Sequence, residues 1–192
     1  MPTLPLFPLA APLFPEQVMP LQIFEPRYIK LISDCLKAQQ GFGVVQIREG
    51  HEVGGGAQIF QFGVEAQIID FEQLPNGLLG IQVVGRRKFS VTSTEQGQMN
   101  QLLAEVAWLI DEPPTVVPDD FDGLRLLLDD LKLHSAVRAL QLPECLDARH
   151  LGWQLCQLLP LDAPDKVALL SLDDPIERLD HLAERVEQIG RE

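Results

Sequence analysis

Prolines alternate with large apolar residues through the first 26 positions, and this pattern restricts the fold more than any other feature of the chain. Seven of the fifteen prolines lie there. Proline has no backbone N–H and a fixed φ angle, so helix interiors and central strands exclude it. We therefore predict that the segments around Pro5 and Pro20 are extended edge strands, which bury apolar side chains and pair on one side only.

A strand followed directly by a helix is predicted next. Residues 18–24 have the pattern of a strand, and Pro26 stands where a helix can begin, because a missing N–H costs little in the first turn. Apolar residues then recur three, four, seven and eight positions after Tyr28, which is the spacing of one helix face. We predict a helix over residues 26–39 that packs back onto the strand.

Alternating apolar residues predict further strands as far as residue 110. Residues 60–71 and 78–92 carry the two longest patterns, and Asn76-Gly77 between them suits a tight hairpin turn. Shorter patterns occupy residues 42–48 and 102–110. Together these segments predict a strongly bent, mostly antiparallel pseudo-barrel of about six strands, with the one long helix packed on it.

The second part of the chain is predicted to be helical. Three prolines between residues 111 and 118 interrupt the strand pattern and indicate a boundary. Beyond it apolar residues recur at helical spacing, and the last helix opens with the capping arrangement of Asp174, Pro175 and Glu177. The predicted fold class is α+β, with a β-rich lobe over residues 1–118 followed by an all-α helical bundle lobe over residues 119–192.

The composition excludes several classes of function. The formal net charge of −13 repels phosphate backbones and anionic lipids, so neither nucleic acid nor a membrane is an expected partner. No apolar run is long enough to span a bilayer, and the N-terminus lacks the basic residues of a signal peptide, so the expected location is cytoplasmic. Three cysteines fit a reducing compartment. Because the spacing of Cys145, His150 and Cys156 matches no common site, no metal or cofactor is predicted.

No catalytic motif is present in the sequence. It contains no Walker motif, no GxSxG elbow and no HExxH pair. The serines, at positions 33, 90, 93, 135 and 171, have no recognisable nucleophile context, and the four histidines are predicted to lie on loops or polar helix faces. We therefore predict that the chain has no catalytic residues.

Several short motifs resemble one family in the right order. The segments LPLFPL, LFP and MPLQIFEPRY, and the helical stretch LGWQLCQLLPLDAPDKVALLSLDDPIERLDHL, resemble the N-terminal, substrate-binding domain of the ATP-dependent protease Lon (La). The likeness is closest to the stand-alone bacterial proteins that consist of this domain alone. A Gly-x-x-basic-Phe signature of the family is matched by Gly85, Lys88 and Phe89, with lysine where arginine is expected.

The resemblance implies both a fold and a function. It implies a PUA-like β lobe and a non-catalytic module that binds unfolded or exposed polypeptide segments, with protease or chaperone machinery as a further class of partner. Two alternatives stay open. The PUA fold binds RNA elsewhere, although the run Arg86-Arg87-Lys88 is the only support for that function here. A small-molecule-binding protein or enzyme would instead use a pocket between the lobes, lined by convergent polar groups.

Phe14, Met19 and Leu21 are the candidate peptide-binding residues. The prolines keep this stretch from being fully paired, and methionine adapts to irregular partners. We expect an exposed apolar groove where this segment meets the junction of the two lobes. The alternative, that all three side chains belong to the core, stays open.

Glu25, Arg27 and Tyr28 form the most specific polar motif of the chain. We predict a structural role for them, in which they fix the helix start and form an ion pair with Arg86 or Arg87 across the end of the barrel. Gly85, Lys88 and Phe89 are likewise assigned structural roles.

Overall fold

A computed structural model describes residues 2–52 and 57–191 of the chain. That part contains one six-stranded sheet and six α-helices, so the fold belongs to the mixed α+β class, as predicted. The strands are β1 (Thr3–Leu9), β2 (Val18–Ile23), β3 (Phe42–Glu49), β4 (Gln58–Gln73), β5 (Leu79–Gln96) and β6 (Leu102–Trp108). The helices are α1 (Pro26–Ala38), α2 (Asp122–Leu133), α3 (Ser135–Arg138), α4 (Ala148–Leu158), α5 (Ala163–Ser171) and α6 (Pro175–Ile189). Across the described ranges, no helix has both the length and the apolar composition that a membrane span requires.

Five of the six strands close into a ring. The strand order is β2-β5-β4-β3-β1-β6, and β6 pairs with β5 as well as with β1, so the sheet bends back onto itself. β1 and β3 are parallel, whereas the other described strand pairs are antiparallel. β2 lies outside the ring and pairs with the first part of β5, which confirms the predicted edge strand around Pro20.

β1 is a strand of the ring rather than an edge strand, which corrects the prediction for the segment around Pro5. The first part of β1 pairs with β6 as far as Pro5, and the second part pairs with β3 from Leu6 onward. Because pairing with β3 starts only after Pro5, a proline at that position removes no hydrogen bond on the β3 side.

The interior of the ring is packed around Phe89. This side chain is completely buried, and a Cβ added at Gly43 or Gly63 would lie 2.7 or 2.6 Å from its ring. The two glycines therefore provide the space that the phenyl ring fills. The buried core cluster consists of Leu4, Leu6, Val45, Phe89, Ala104 and Val106.

Helix α1 begins at Pro26, as predicted, and ends one residue before the predicted end. Gln39 follows the helix with a left-handed backbone (φ 53°), a common way for a helix to terminate. The helix buries Tyr28, Leu31, Ile32 and Cys35. Tyr28 stacks on Phe7 of β1 with ring centroids 3.9 Å apart, so α1 is attached to a strand of the ring.

A bulge in β5 lies next to Gly85. Between the pairs Gly85–Ala66 and Lys88–Val64, two residues of β5 oppose one residue of β4. The Gly85 N–H donates to the carbonyl of Gln17, and the Gly85 carbonyl accepts from the N–H of Glu16, both at 2.9 Å. A Cβ at Gly85 would lie 2.0 Å from the carbonyl oxygen of Phe14. Glycine at this position therefore lets the turn that precedes β2 lie directly against β5.

The chain divides into two compact units, Met1–Leu109 and Ile110–Glu192. Residues 110–118, which precede the predicted boundary at residue 118, make polar contacts within the second unit. Glu112 forms an ion pair with Arg178 of α6, and the Val117 carbonyl accepts a hydrogen bond from Arg125 Nη2 of α2 at 2.8 Å.

Arg178 is a fully buried charged residue in the helical unit, and it was not among the residues predicted from the sequence. Its guanidinium forms two hydrogen bonds with the Glu112 carboxylate and lies over the Trp153 ring, 3.4 Å from the centroid. Position 178 shares a helix face with the buried residues Leu179 and Leu182. An arginine on the apolar face of a predicted helix therefore indicates a buried ion pair with an acidic partner elsewhere in the chain.

Candidate functional site

Three strand segments extend beyond the ring and form what we call the sheet arm, residues 18–23 of β2, 67–73 of β4 and 79–84 of β5. β3 pairs with β4 only as far as Ala66, so residues 67–73 have β5 on one side and no described strand on the other. Among the described strands, β2 likewise has β5 alone beside it. The sheet arm thus has two open edges, one along β2 and one along the end of β4.

The pairing register gives the sheet arm one apolar face. Leu21, Ile81 and Phe71 form one cross-strand row, so their side chains lie on the same face. Met19 and Val83 lie on that face in the next row. Ile81 and Val83 are buried, Met19 and Leu21 are half-buried, and Phe71 is 61% exposed. Apolar side chains therefore line this face from the β4 edge to the β2 edge, but they are buried at Ile81 and Val83 and most accessible at Phe71.

The hydrogen bonds of β2 can be assigned from its turn. The Gly85 N–H donates to the Gln17 carbonyl, and antiparallel strands alternate between residues that bond to the partner and residues that point away. Met19 and Leu21 therefore bond to β5, whereas Val18, Pro20 and Gln22 direct their backbone groups outward. This places Pro20, which has no N–H, at a position where β5 requires no donor.

The open edge of β2 can therefore accept another strand. It presents the N–H groups of Val18 and Gln22 together with the carbonyls of Val18, Pro20 and Gln22. Unpaired backbone groups of this kind are a template for an additional strand. Next to them lie the half-buried side chains of Met19 and Leu21.

The open edge of β4 is different because a side chain of the same strand covers it. Leu74 N–H donates to the Leu78 carbonyl at 2.9 Å, and the same alternation then directs the N–H of Phe71 away from β5. That N–H donates to Asp70 Oδ1 at 2.8 Å. The β4 edge is thus capped by its own carboxylate, and the β2 edge is the more accessible of the two.

Phe14 does not lie on this surface. Its side chain is 2% exposed, its N–H donates to Gln17 Oε1 at 2.9 Å, and its carbonyl accepts from the Gln17 N–H at 3.2 Å. The expectation that Phe14 is exposed is therefore wrong, and its core alternative is correct. Phe71 was not predicted to lie on this surface, because the strand pattern alone could not separate it from core residues.

Glu25, Arg27 and Tyr28 form a local cluster at the start of α1. Glu25 occupies the N-cap position without capping a helix N–H, and its carboxylate pairs with Arg27 Nη2 at 3.0 Å. Arg27 also lies over the Tyr28 ring, 4.5 Å from the centroid, and donates to the Glu52 carbonyl at 3.2 Å. The predicted ion pair with Arg86 or Arg87 is wrong, because the Glu25 carboxylate pairs with Arg27 instead. Arg86 bonds to Gln67, and Arg87 pairs with Glu65.

The basic run of β5 is held by the protein itself. Arg86 Nε donates to Gln67 Oε1 at 2.7 Å. Arg87 pairs with Glu65 at 3.2 Å and lies over the Trp108 ring, 3.9 Å from the centroid. Lys88 is only 5% exposed. These side chains therefore do not form a free basic surface.

A cavity of about 670 Å³ lies in the helical unit. Polar residues on its wall include Thr115, Arg125, Asp129, Cys145, Asp147 and His150. His150 is buried and its Nδ1 lies 2.9 Å from Asp147 Oδ1, which corrects the prediction that all four histidines lie on loops or polar helix faces. Asp147 also caps α4 by accepting from the N–H groups of Arg149 and His150. Within this wall Asp147 and His150 thus bond to each other, whereas Arg125 bonds to Asp122 and to the Val117 carbonyl.

Asp147 makes the stability of the helical unit depend on pH. Burial raises the pKa of its carboxyl, but hydrogen bonds from the Arg149 side chain and from the backbone and ring of His150 outweigh burial and hold the pKa at about 2. A folded-state pKa below the unfolded value contributes stability at neutral pH that is lost as the pH falls from about 4 toward 2.

Replacing Asp147 by Asn is expected to lower the free energy of unfolding by about 1–2 kcal/mol at pH 7, because the amide can still cap the helix but carries no charge. The difference from the wild type should shrink as the pH falls from 4 to 2. Urea unfolding at several pH values measures it. A difference that stays constant across this range would contradict the assignment.

The comparisons with known proteins agree with this fold. The sequence model of the family described as the ATP-dependent protease La (LON) substrate-binding domain matches residues 3–188, so the chain belongs to this family. A solved Lon N-terminal domain protein from Xanthomonas campestris is similar, with a TM-score of 0.81 and 30% identity over 96% of this chain and 98% of that one. The N-terminal domain of a Mycobacterium avium complex Lon protease, at 20% identity and a TM-score of 0.66, shares the fold over 95% of this chain and 97% of that one.

Two curated relatives are much longer proteins. The Lon protease of Cytophaga hutchinsonii is 28% identical over 86% of this chain, and the match covers 21% of that protein. The Lon protease of Leptospira interrogans is 29% identical over 53% of this chain, and the match covers 12% of that protein. The chain thus corresponds to about a fifth or less of the curated relatives that it matches.

Proposed function

We propose that the chain is a non-catalytic polypeptide-binding module, similar in role to the substrate-recognition part of a Lon protease. The observation that carries this proposal is the open edge of β2, whose outward N–H and carbonyl groups lie beside Met19 and Leu21. Membership in a family described as a substrate-binding domain supports it. We also propose that the β-rich unit is PUA-like and that the second unit is a helical bundle.

In the proposed binding mode, an extended segment of another polypeptide adds to β2 as a further strand. Its backbone bonds to Val18 and Gln22, which gives affinity without a fixed sequence. Its alternate side chains extend the apolar face next to Met19 and Leu21, whereas the intervening side chains lie next to Pro20 on the other face. The segment opposite Pro20 loses one backbone hydrogen bond, because proline has no N–H.

This binding mode favours weak affinity and broad selectivity. A flexible segment loses conformational entropy when it docks, so we expect a dissociation constant on the order of micromolar or weaker. Apolar alternation rather than a particular sequence should determine which segments bind. Unfolded proteins expose such segments, and folded proteins bury them.

The test is a titration of fluorescently labelled unfolded polypeptide against wild-type protein and two methionine variants. Met19→Ser removes an apolar contact at the β2 edge and should weaken binding by on the order of fivefold. Met99→Ser is the matched control, because Met99 is exposed in the connection between β5 and β6, outside the sheet arm. Undetectable binding by the wild type, or equal weakening by both folded variants, would count against the proposal.

The non-catalytic part of the proposal has its own measurement. The sequence contains no Walker motif and no recognisable nucleophile context, so purified protein is expected neither to hydrolyse ATP nor to degrade unfolded casein. Because the curated relatives are named as proteases, we propose protease or chaperone machinery as the recipient of the captured polypeptide. Turnover that is lost when one residue is replaced would contradict the non-catalytic assignment.

Nucleic-acid binding is the weaker alternative. Its only support in the sequence was the basic run of β5, and Arg87 already contacts Glu65 and Trp108. Lys88 is buried. Together with the net charge of −13, these contacts leave the alternative without a specific observation in its favour.

A further inference from the structure

We propose that the β4 edge of the sheet arm is a second polypeptide-binding edge, selective for strands that alternate basic and apolar residues, and that Asp70 controls access to it. The outward N–H of Phe71 donates to the Asp70 carboxylate at 2.8 Å instead of remaining unpaired. Around it lie exposed apolar side chains, since Phe71 is 61% and Ile69 is 49% exposed. The edge therefore has exposed apolar side chains and one outward backbone donor, the N–H of Phe71. This donor becomes available to another strand when the Asp70 side chain moves away.

Charge determines which strand fits this edge. Asp70 and Glu72 flank Phe71, are both exposed, and point to the face opposite the Phe71 side chain. No lysine or arginine occurs between positions 49 and 85. Arg86 follows, and its Nε is bonded to Gln67 at the base of the sheet arm. The outer part of this edge is thus acidic and is complementary to basic side chains.

The register of an added strand determines which of its residues lie next to Phe71 and which lie next to Asp70 and Glu72. The added residue opposite Phe71 places its side chain on the apolar face, next to the phenyl ring. The two residues beside it point to the other face, next to Asp70 and Glu72. Opposite charges at such cross-strand positions stabilise pairing, and like charges destabilise it. The preferred segment therefore reads basic, apolar, basic.

The hydrogen bond between the Phe71 N–H and Asp70 makes the preference for basic strands stronger than charge attraction alone would make it. A basic side chain on the added strand attracts the Asp70 carboxylate and releases the N–H of Phe71, which can then bond to the carbonyl of the added strand. A neutral strand leaves the carboxylate on that N–H, and an acidic strand is repelled. A second copy of this chain is a poor occupant, because antiparallel self-pairing about Phe71 places Asp70 opposite Glu72 of the other copy.

The experiment uses four labelled nine-residue peptides in fluorescence anisotropy titrations at low salt. Three alternate valine with lysine, glutamine or glutamate, and the fourth has the lysine composition in a non-alternating order. We expect the alternating lysine peptide to bind on the order of fivefold tighter than the alternating glutamine peptide. Equal affinity of the two lysine peptides would show charge attraction without strand addition and would overturn the proposal.

Two replacements of Asp70 separate its charge from its hydrogen bond. Asp70→Asn keeps an oxygen that can accept from the Phe71 N–H but has no charge, so the preference for lysine over glutamine should fall without a gain for the glutamine peptide. Asp70→Ala uncovers the N–H, so the alternating glutamine peptide should bind more tightly than it binds to the wild type. Identical behaviour of the two variants would contradict the role of Asp70.

Further variants distinguish this edge from the edge of β2. Glu72→Gln removes one charge without touching the N–H of Phe71 and should reduce the lysine preference only in part. Met19→Ser should leave the lysine preference unchanged, so the proposals for the two edges can be contradicted separately. Sedimentation of Asp70→Ala at increasing concentration gives the remaining outcome. Self-association that competes with peptide binding would show that a second copy, rather than a basic strand, is the occupant of this edge.

Discussion

Replacing Arg178 by Ala is expected to lower the free energy of unfolding by about 3–5 kcal/mol. The guanidinium is completely buried, and its partner Glu112 has a side chain that is only 5% exposed. Arg178 also donates to the carbonyls of Leu169 and Leu172. Removing it leaves a carboxylate without its partner in the interior, and it also removes the group that lies over the Trp153 ring.

Urea unfolding measures this loss, and two further variants show its cause. The double variant Arg178→Met/Glu112→Leu should be more stable than Arg178→Ala, because no uncompensated charge is then buried. Arg185→Ala is the matched control on the same helix. The Arg185 side chain is 43% exposed and pairs with Asp165, so its replacement should cost less than about 1 kcal/mol. Equal losses at positions 178 and 185 would show that burial of the ion pair is not the cause.

Replacing Gly85 by Ala is expected to lower the free energy of unfolding by about 2–3 kcal/mol. The added Cβ would lie 2.0 Å from the carbonyl oxygen and 2.9 Å from the carbonyl carbon of Phe14. Both are backbone atoms, so the clash cannot be relieved by rotating a side chain. The turn before β2 must move, and its hydrogen bonds from Glu16 and to Gln17 must lengthen.

Gly123→Ala is the control for this prediction. A Cβ at Gly123 meets no described atom within 4 Å, and the residue lies in α2, where alanine is the better helix former. This variant should be as stable as the wild type or slightly more stable. Because the turn before β2 positions the β2 edge, Gly85→Ala should also weaken binding of unfolded polypeptide in protein that remains folded. A Gly85→Ala protein with unchanged stability would contradict the close approach of the two backbones.

The features that could be predicted from the sequence depend on neighbours along the chain. Helix α1 has its proline, its apolar spacing and its terminus within thirteen residues, and its predicted start is correct. The hairpin of β4 and β5 is likewise marked by the Asn76-Gly77 turn. The edge position of β2 followed from Pro20, because a proline is tolerated where no strand requires its N–H.

The features that could not be predicted depend on distant partners. Pro5 gives the same signal as Pro20, yet β1 is a ring strand, because β3 and β6 flank different parts of it. Arg178 interacts with a carboxylate 66 positions away. For the candidate site, the sequence indicated Met19 and Leu21 but not Phe71, whose position beside them depends on the register of three strands.

The closing pair of the ring also has a consequence for the order in which the protein forms during its synthesis. Thr3 of β1 pairs with Glu105 of β6, so the ring cannot close until β6 has been synthesised. Contacts between such distant positions slow folding. The sheet arm, by contrast, is complete in sequence once residue 84 has been made. A nascent chain of this protein can therefore form its two open edges while its own apolar β1 still lacks one neighbour, and unpaired strands of this kind favour aggregation.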